Sequence, residues 1–78
     1  MKSVTIVASS FFQLLKERDT SMWEILSQLV DGEEKEIVFV DDKKLPLFNY
    51  ILPATIEKLK EDQKIFAKEF QEKIRQNN

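Results

Sequence analysis

Between Thr55 and Arg75 the chain carries neither proline nor glycine, and most of its residues are strong helix formers. Such a run predicts one helix, about 30 Å long at ~1.5 Å per residue. Within it Ile56, Leu59, Gln63, Phe66 and Phe70 recur at alternating steps of three and four. This spacing gives a narrow seam, with Ile65, Ala67 and Ile74 beside it. The first turns, with Ile56 and Leu59, are expected to pack on the chain's own strands. A helix of that length outruns a small platform, so Phe66, Phe70 and Ile74 beyond Gln63 are expected to be bare in a monomer and to seek another surface.

The rest of the chain must supply that platform. Val4 to Val7 is β-branched throughout and reads as a short strand. Ser10 stands three residues before Gln13, the spacing of a capping box, which predicts a helix from about Phe11 to Glu17 carrying Phe11, Phe12, Leu14 and Leu15. Ser21 and Glu24 repeat the signature. Met22, Ile25, Leu26, Leu29 and Val30 then form a second helical stripe, which Gly32, the only glycine, is placed to close with a positive φ. Glu36 to Asp41 alternates Ile37 and Phe39 with Val38 and Val40, an apolar strand on both faces. Leu45 to Leu52 follows the polar turn Asp41–Lys44 as a second strand, making an antiparallel hairpin. Pro46 restricts that strand to an edge or to one-sided pairing at its start.

Composition narrows the chemistry. Seventy-eight residues make one domain, which withdraws only roughly 60–65% of its unfolded surface from water. The core is therefore thin, and a second chain is expected to help. There is no cysteine and no histidine, so disulfides, thiolates, imidazole bases and the commonest metal ligands are all missing. A single glycine cannot build a phosphate-cradling loop. The acidic runs Asp31, Glu33, Glu34, Glu36 and Asp41-Asp42 could face a hard cation, but in a chain that is 33% charged they read as solvated turns. Net charge is −2 with no basic block, which argues against non-specific phosphate binding by one monomer. The apolar runs are too short to span a membrane, and the N-terminal residues lack the pattern of a signal peptide. The expectations are a cytoplasmic protein, no enzyme, no cofactor, no metal, no membrane and no small-molecule substrate.

Three local patterns carry a family resemblance. Leu26-x-x-Leu29-Val30-Asp31-Gly32-Glu33-Glu34 is a helix ending in a Gly-Glu-Glu stop. Glu36 to Val40 is an alternating strand after it, and Pro53-Ala54-Thr55-Ile56-Glu57-Lys58-Leu59 leads into the last helix. Together with the order of elements, which covers nearly the whole chain, these resemble the Phd/YefM antitoxins of bacterial toxin–antitoxin modules. The resemblance implies a homodimer built on the N-terminal sheet region. It also implies operator DNA bound by that dimer as an autorepressor, and a cognate protein toxin neutralised by the C-terminal segment. In the family, arginines that meet phosphates mark the start of the first helix and the hairpin turn. Here those places hold Ser9, Ser10 and Phe11, and Asp41-Asp42-Lys43-Lys44.

The reading that results is an α+β fold of order β-α-α-β-β-α, with a small antiparallel sheet, helices on one face and a long C-terminal amphipathic helix. Residues 1–52 form the dimerisation platform and residues 53–78 the partner-binding helix of one compact unit. Partner-binding residues are Ile56, Leu59, Gln63, Phe66, Phe70 and Ile74. Ser9, Ser10, Lys16 and Arg18 are the candidates near DNA, and Trp23, Val38 and Val40 those at a dimer interface. The alternative is a small structural or phage-type accessory dimer with neither toxin nor DNA.

Overall fold

The computed structural model describes residues 1–76, with side chains described through Lys73. Its elements are β1 (Lys2–Val7), α1 (Ala8–Glu17), α2 (Met22–Ser27), β2 (Lys35–Val40), β3 (Pro46–Leu52) and α3 (Ile56–Gln76). The order is the expected one and the fold is α+β. The sheet is mixed, in the order β1-β2-β3. β2 and β3 pair antiparallel as expected, whereas β1 runs parallel to β2, which corrects the all-antiparallel reading. The physical reason lies between the strands. Two helices and their loops separate β1 from β2, which is chain enough for a crossover that returns in the same direction.

The pairing register sorts the side chains. Val4 and Ile6 stand opposite Ile37 and Phe39, which stand opposite Tyr50 and Phe48. On that face the core gathers, with Phe11, Leu26, Ile37, Phe39, Leu52, Leu59, Phe66 and Phe70 buried in one cluster. The other face aligns Thr5, Val38 and Asn49. Thr5 and Asn49 are exposed and Val38 is half-buried. The helices thus cover one face only. Val40, on the Val38 side of β2, is nevertheless buried at 3% exposed.

Local chemistry explains most boundaries. In the hairpin turn, Asp41 Oδ1 accepts bonds from the backbone N–H of Lys43 at 2.8 Å and of Leu45 at 2.9 Å. Pro46 opens the edge strand β3 beside an irregularity in the pairing at Phe39/Val40, where its missing N–H does no harm. Ser21 caps α2 by accepting a bond from Glu24 N at 3.2 Å. Thr55 Oγ1 does the same for Lys58 N at 3.3 Å, at the start of α3.

The first capping box does not form. α1 begins at Ala8 with Val7 in the cap position and no side-chain bond there. The strand runs straight into the helix, Ser10 falls inside its first turn, and Gln13 Nε2 donates to Glu17 Oε1 at 3.0 Å instead. α2 stops at Ser27 and continues only as turns, with Leu29 N bonded to Leu26 O at 3.0 Å. Gly32 has the expected positive φ, at +92°. It acts in the loop and not at the helix end, where its N–H donates to Ala54 O at 3.1 Å and ties that loop to the lead into α3.

The largest correction concerns α3. Phe66 is 3% exposed and Phe70 is 0%, so the distal half of the helix is core and not a bare tail. The rest of the chain therefore covers this helix at least as far as Phe70. Phe11 and Phe12 of α1 reach Phe70, with ring centroids 6.0 and 5.3 Å away. α3 also packs against α2 and β3. Leu59, Phe66 and Phe70 thus complete the same core as the sheet, and α3 is docked on it at least as far as Phe70.

Candidate partner-binding surface

Of the six seam residues expected to meet a partner, Leu59, Phe66 and Phe70 are buried in the chain's own core. Ile56 is half-buried and Gln63 exposed. Ile74 lies outside the residues whose side chains are described. The seam is real as a helical face, but its apolar members are spent on the fold, so they offer no surface to another protein while α3 stays docked.

What the seam leaves open is a cavity. Beside Gln63, its polar member, a concavity of about 190 Å³ lies between α2 and α3. Ser21, Met22, Trp23 and Leu26 wall it on one side, and Leu59, Gln63, Phe66 and Ala67 on the other. α2 has only six residues and cannot cover α3 along its length, so the void follows from a short helix meeting a long one. Its walls are mostly apolar. The ammonium of Lys60 stands 5.9 Å from the Trp23 ring centroid, within cation–π range.

Sequence reasoning gives Trp23 to the core or to a dimer interface, and does not find this site. Its signals were the polar break at Gln63 and an off-stripe tryptophan one helix earlier. The indole Nε1 is buried without a hydrogen-bond partner, and so is the Tyr50 hydroxyl. Because Nε1 is sealed among protein atoms, it does not face the open cavity. Burial pushes the Tyr50 phenol up to about 12, helped by the negative charge of Asp62.

The three dimer candidates do not form one patch. Trp23 packs against the core on the helical side of the sheet, Val38 points to the opposite face, and Val40 is 3% exposed. The four DNA candidates are also divided. Ser9 and Ser10 lie in the first turn of α1, while Lys16 and Arg18 lie at its other end. Ser9 Oγ donates to Asp42 Oδ1 at 2.6 Å, which sets a carboxylate where a phosphate would have to approach.

Several members of the acidic runs have structural employment, Asp31, Asp41 and Asp42 among them. Asp31 Oδ2 pairs with Lys35 Nζ at 2.8 Å, and Lys35 Nζ also donates to Leu29 O at 2.6 Å. Asp41 organises the hairpin turn. Among the described residues no three His, Cys, Asp or Glu side chains converge as a metal-binding group, and no helix is long and apolar enough to cross a membrane. No family model, curated protein or solved structure matches the chain.

Proposed function

We propose that this chain is a non-enzymatic interaction protein of the antitoxin type, which holds a partner protein through its helical layer. The observation that carries the reading is the cavity between α2 and α3. At about 190 Å³ it falls below the ~300–1,000 Å³ of ordinary small-molecule sites. It is larger than the ~150 Å³ that holds a benzene ring. It therefore suits a single anchoring side chain better than a substrate with its catalytic machinery. The chain also lacks histidine and cysteine, and the order of elements is the one on which the antitoxin resemblance rests.

The burial of Phe66 and Phe70 changes how such a protein would work. A partner meets a folded α3 and the groove beside it, not a loose helix that unwraps to bind. Operator binding has weaker support, since Ser9 is engaged by Asp42 and the basic residues of α1 lie at its far end. The accessory-dimer alternative draws on the uncovered sheet face around Val38 and Ile51, the latter 43% exposed.

Co-expression with the product of an adjacent gene tests the antitoxin reading. Relief of that product's growth arrest together with co-elution of the two chains is the expected result. Growth arrest without rescue, and separate elution, would overturn it.

A further inference from the structure

The cavity has a charged rim, and on the α3 side the charges next to its mouth are lysines. Lys60, Lys64 and Lys68 recur at four-residue steps along α3, so they form a single exposed stripe about 12 Å long. On the helical wheel this stripe adjoins Gln63 and Ala67, the two α3 residues on the open side of the cavity. Among the described residues none of the three lysines makes an ion pair. Of the acids of α3, Asp62 and Glu69 lie on the other flank, while Glu57, Glu61 and Glu72 border the edge of the stripe away from the cavity. Lys58 is bound up with Glu61 and Asp62, both at 3.7 Å. Across the cavity, the one acid of α2 is Glu24, whose carboxylate accepts a hydrogen bond from Thr20.

From this juxtaposition we propose that the α2/α3 cavity is the docking site for an acidic protein segment, one large apolar side chain of which fills the void while its flanking carboxylates meet Lys60 and Lys64. The inference rests on the interaction-protein reading, and it names the chemistry of the partner. The anchor supplies burial in a site walled by Met22, Trp23, Leu26, Leu59 and Phe66. The lysines supply orientation and a faster encounter, since rim charges act chiefly on the rate of association and on the choice of partner. A nucleic acid would find the lysines but leave the apolar void empty. A basic segment would be repelled.

The test uses the chain's single tryptophan, because Trp23 lines the cavity. The probe is a blocked nonapeptide with one central phenylalanine among glutamates and aspartates, titrated while Trp23 emission is read. Two control peptides replace the phenylalanine by alanine, or every acid by lysine. A saturable change is expected, with Kd of roughly 0.1–1 mM for so short a segment. The alanine and lysine controls should give none. Lys60→Glu/Lys64→Glu alters only exposed side chains, and should weaken binding about tenfold or more. Ala67→Leu fills the void and should abolish binding while a thermal melt shows the fold intact. No saturable change up to several millimolar, equal binding of the lysine peptide, or an unchanged Kd in the lysine double variant would each overturn the proposal. The titration needs no toxin, so failure of the co-expression test and failure of this one are separate results.

Discussion

The rings of Phe39 and Phe70 meet edge to face, with centroids 4.6 Å apart and planes 61° from one another. One belongs to the central strand and the other to the distal part of α3, and both are 0% exposed. This contact decides what the long helix is for. Phe70→Ala should cost about 3–5 kcal/mol, as large-to-small substitutions of buried phenylalanine do, and Phe66→Ala a similar amount. Domains of this kind have only ~5–15 kcal/mol in hand, so the double variant should be largely unfolded at room temperature. Urea melts followed by circular dichroism measure this. Unchanged midpoints would return the distal helix to the role of a free arm.

Gly32 gives a second expectation, free of packing. A Cβ placed there meets nothing within 4 Å, while φ is +92°. Gly32→Ala should therefore lose on the order of 1–2 kcal/mol through left-handed strain alone. Gly32→Asn should lose less, because asparagine tolerates positive φ. Equal losses in the two variants would point to a steric cause that the backbone does not show.

The Asp31–Lys35 pair predicts a pH dependence. The hydrogen bond from Lys35 holds the Asp31 carboxyl below its ordinary value of 3.8; burial opposes it, and the backbone N–H of Glu33 and the charges of Lys35 and Lys2 assist it. A lowered folded-state value means that the pair's contribution is present above 3.8 and vanishes as pH falls through the lowered value. Asp31→Asn should accordingly melt below the wild type at pH 7, and the two curves should converge under strong acid. Since Asp31 is exposed, added salt should narrow the gap at neutral pH. A gap that persisted at low pH would assign the loss to something other than ionisation.

Tyr50 behaves in the opposite sense. Its phenol titrates at about 12 in the folded protein against 10.0 ordinarily, so the unfolded chain releases this proton first. The resulting contribution is whole below pH 10 and is lost as pH rises towards 12. Tyr50→Phe removes a buried hydroxyl that has no partner. The variant should be as stable as the wild type near neutrality or slightly more so, and its stability should fall less steeply at alkaline pH. A marked loss at pH 7 would mean that the hydroxyl has a partner after all.

The element order was legible because period-two and period-3.6 patterns are written into contiguous residues, as in Ile37–Val40 and in Leu59, Phe66 and Phe70. Two things were not. The direction of β1 relative to β2 depends on how α1 and α2 carry the chain back, and no local signal in Lys2–Val7 encodes it. Amphipathicity also showed that Phe66 and Phe70 share a face without showing what covers it. The answer lay in Phe11 and Phe12, which only the crossover brings beneath α3. The capping signal at Ser21 succeeded and the one at Ser10 failed for a similar reason. Ser21 follows a turn, whereas Ser10 follows a strand that leads directly into its helix. The cavity was legible only in part, through Gln63, because its other wall comes from a helix more than thirty residues earlier.

All six phenylalanines of the chain belong to one contiguous set of ring contacts, joined by Tyr50 and drawn from α1, β2, β3 and α3. A ring enclosed in this way cannot rotate by half a turn about its own axis unless its neighbours first make room. The flipping rates of Phe39 and Phe70 therefore record how often the whole interior breathes. Because the set touches both the sheet and α3, that rhythm belongs to the molecule as a unit, and a partner seated against α3 would slow it.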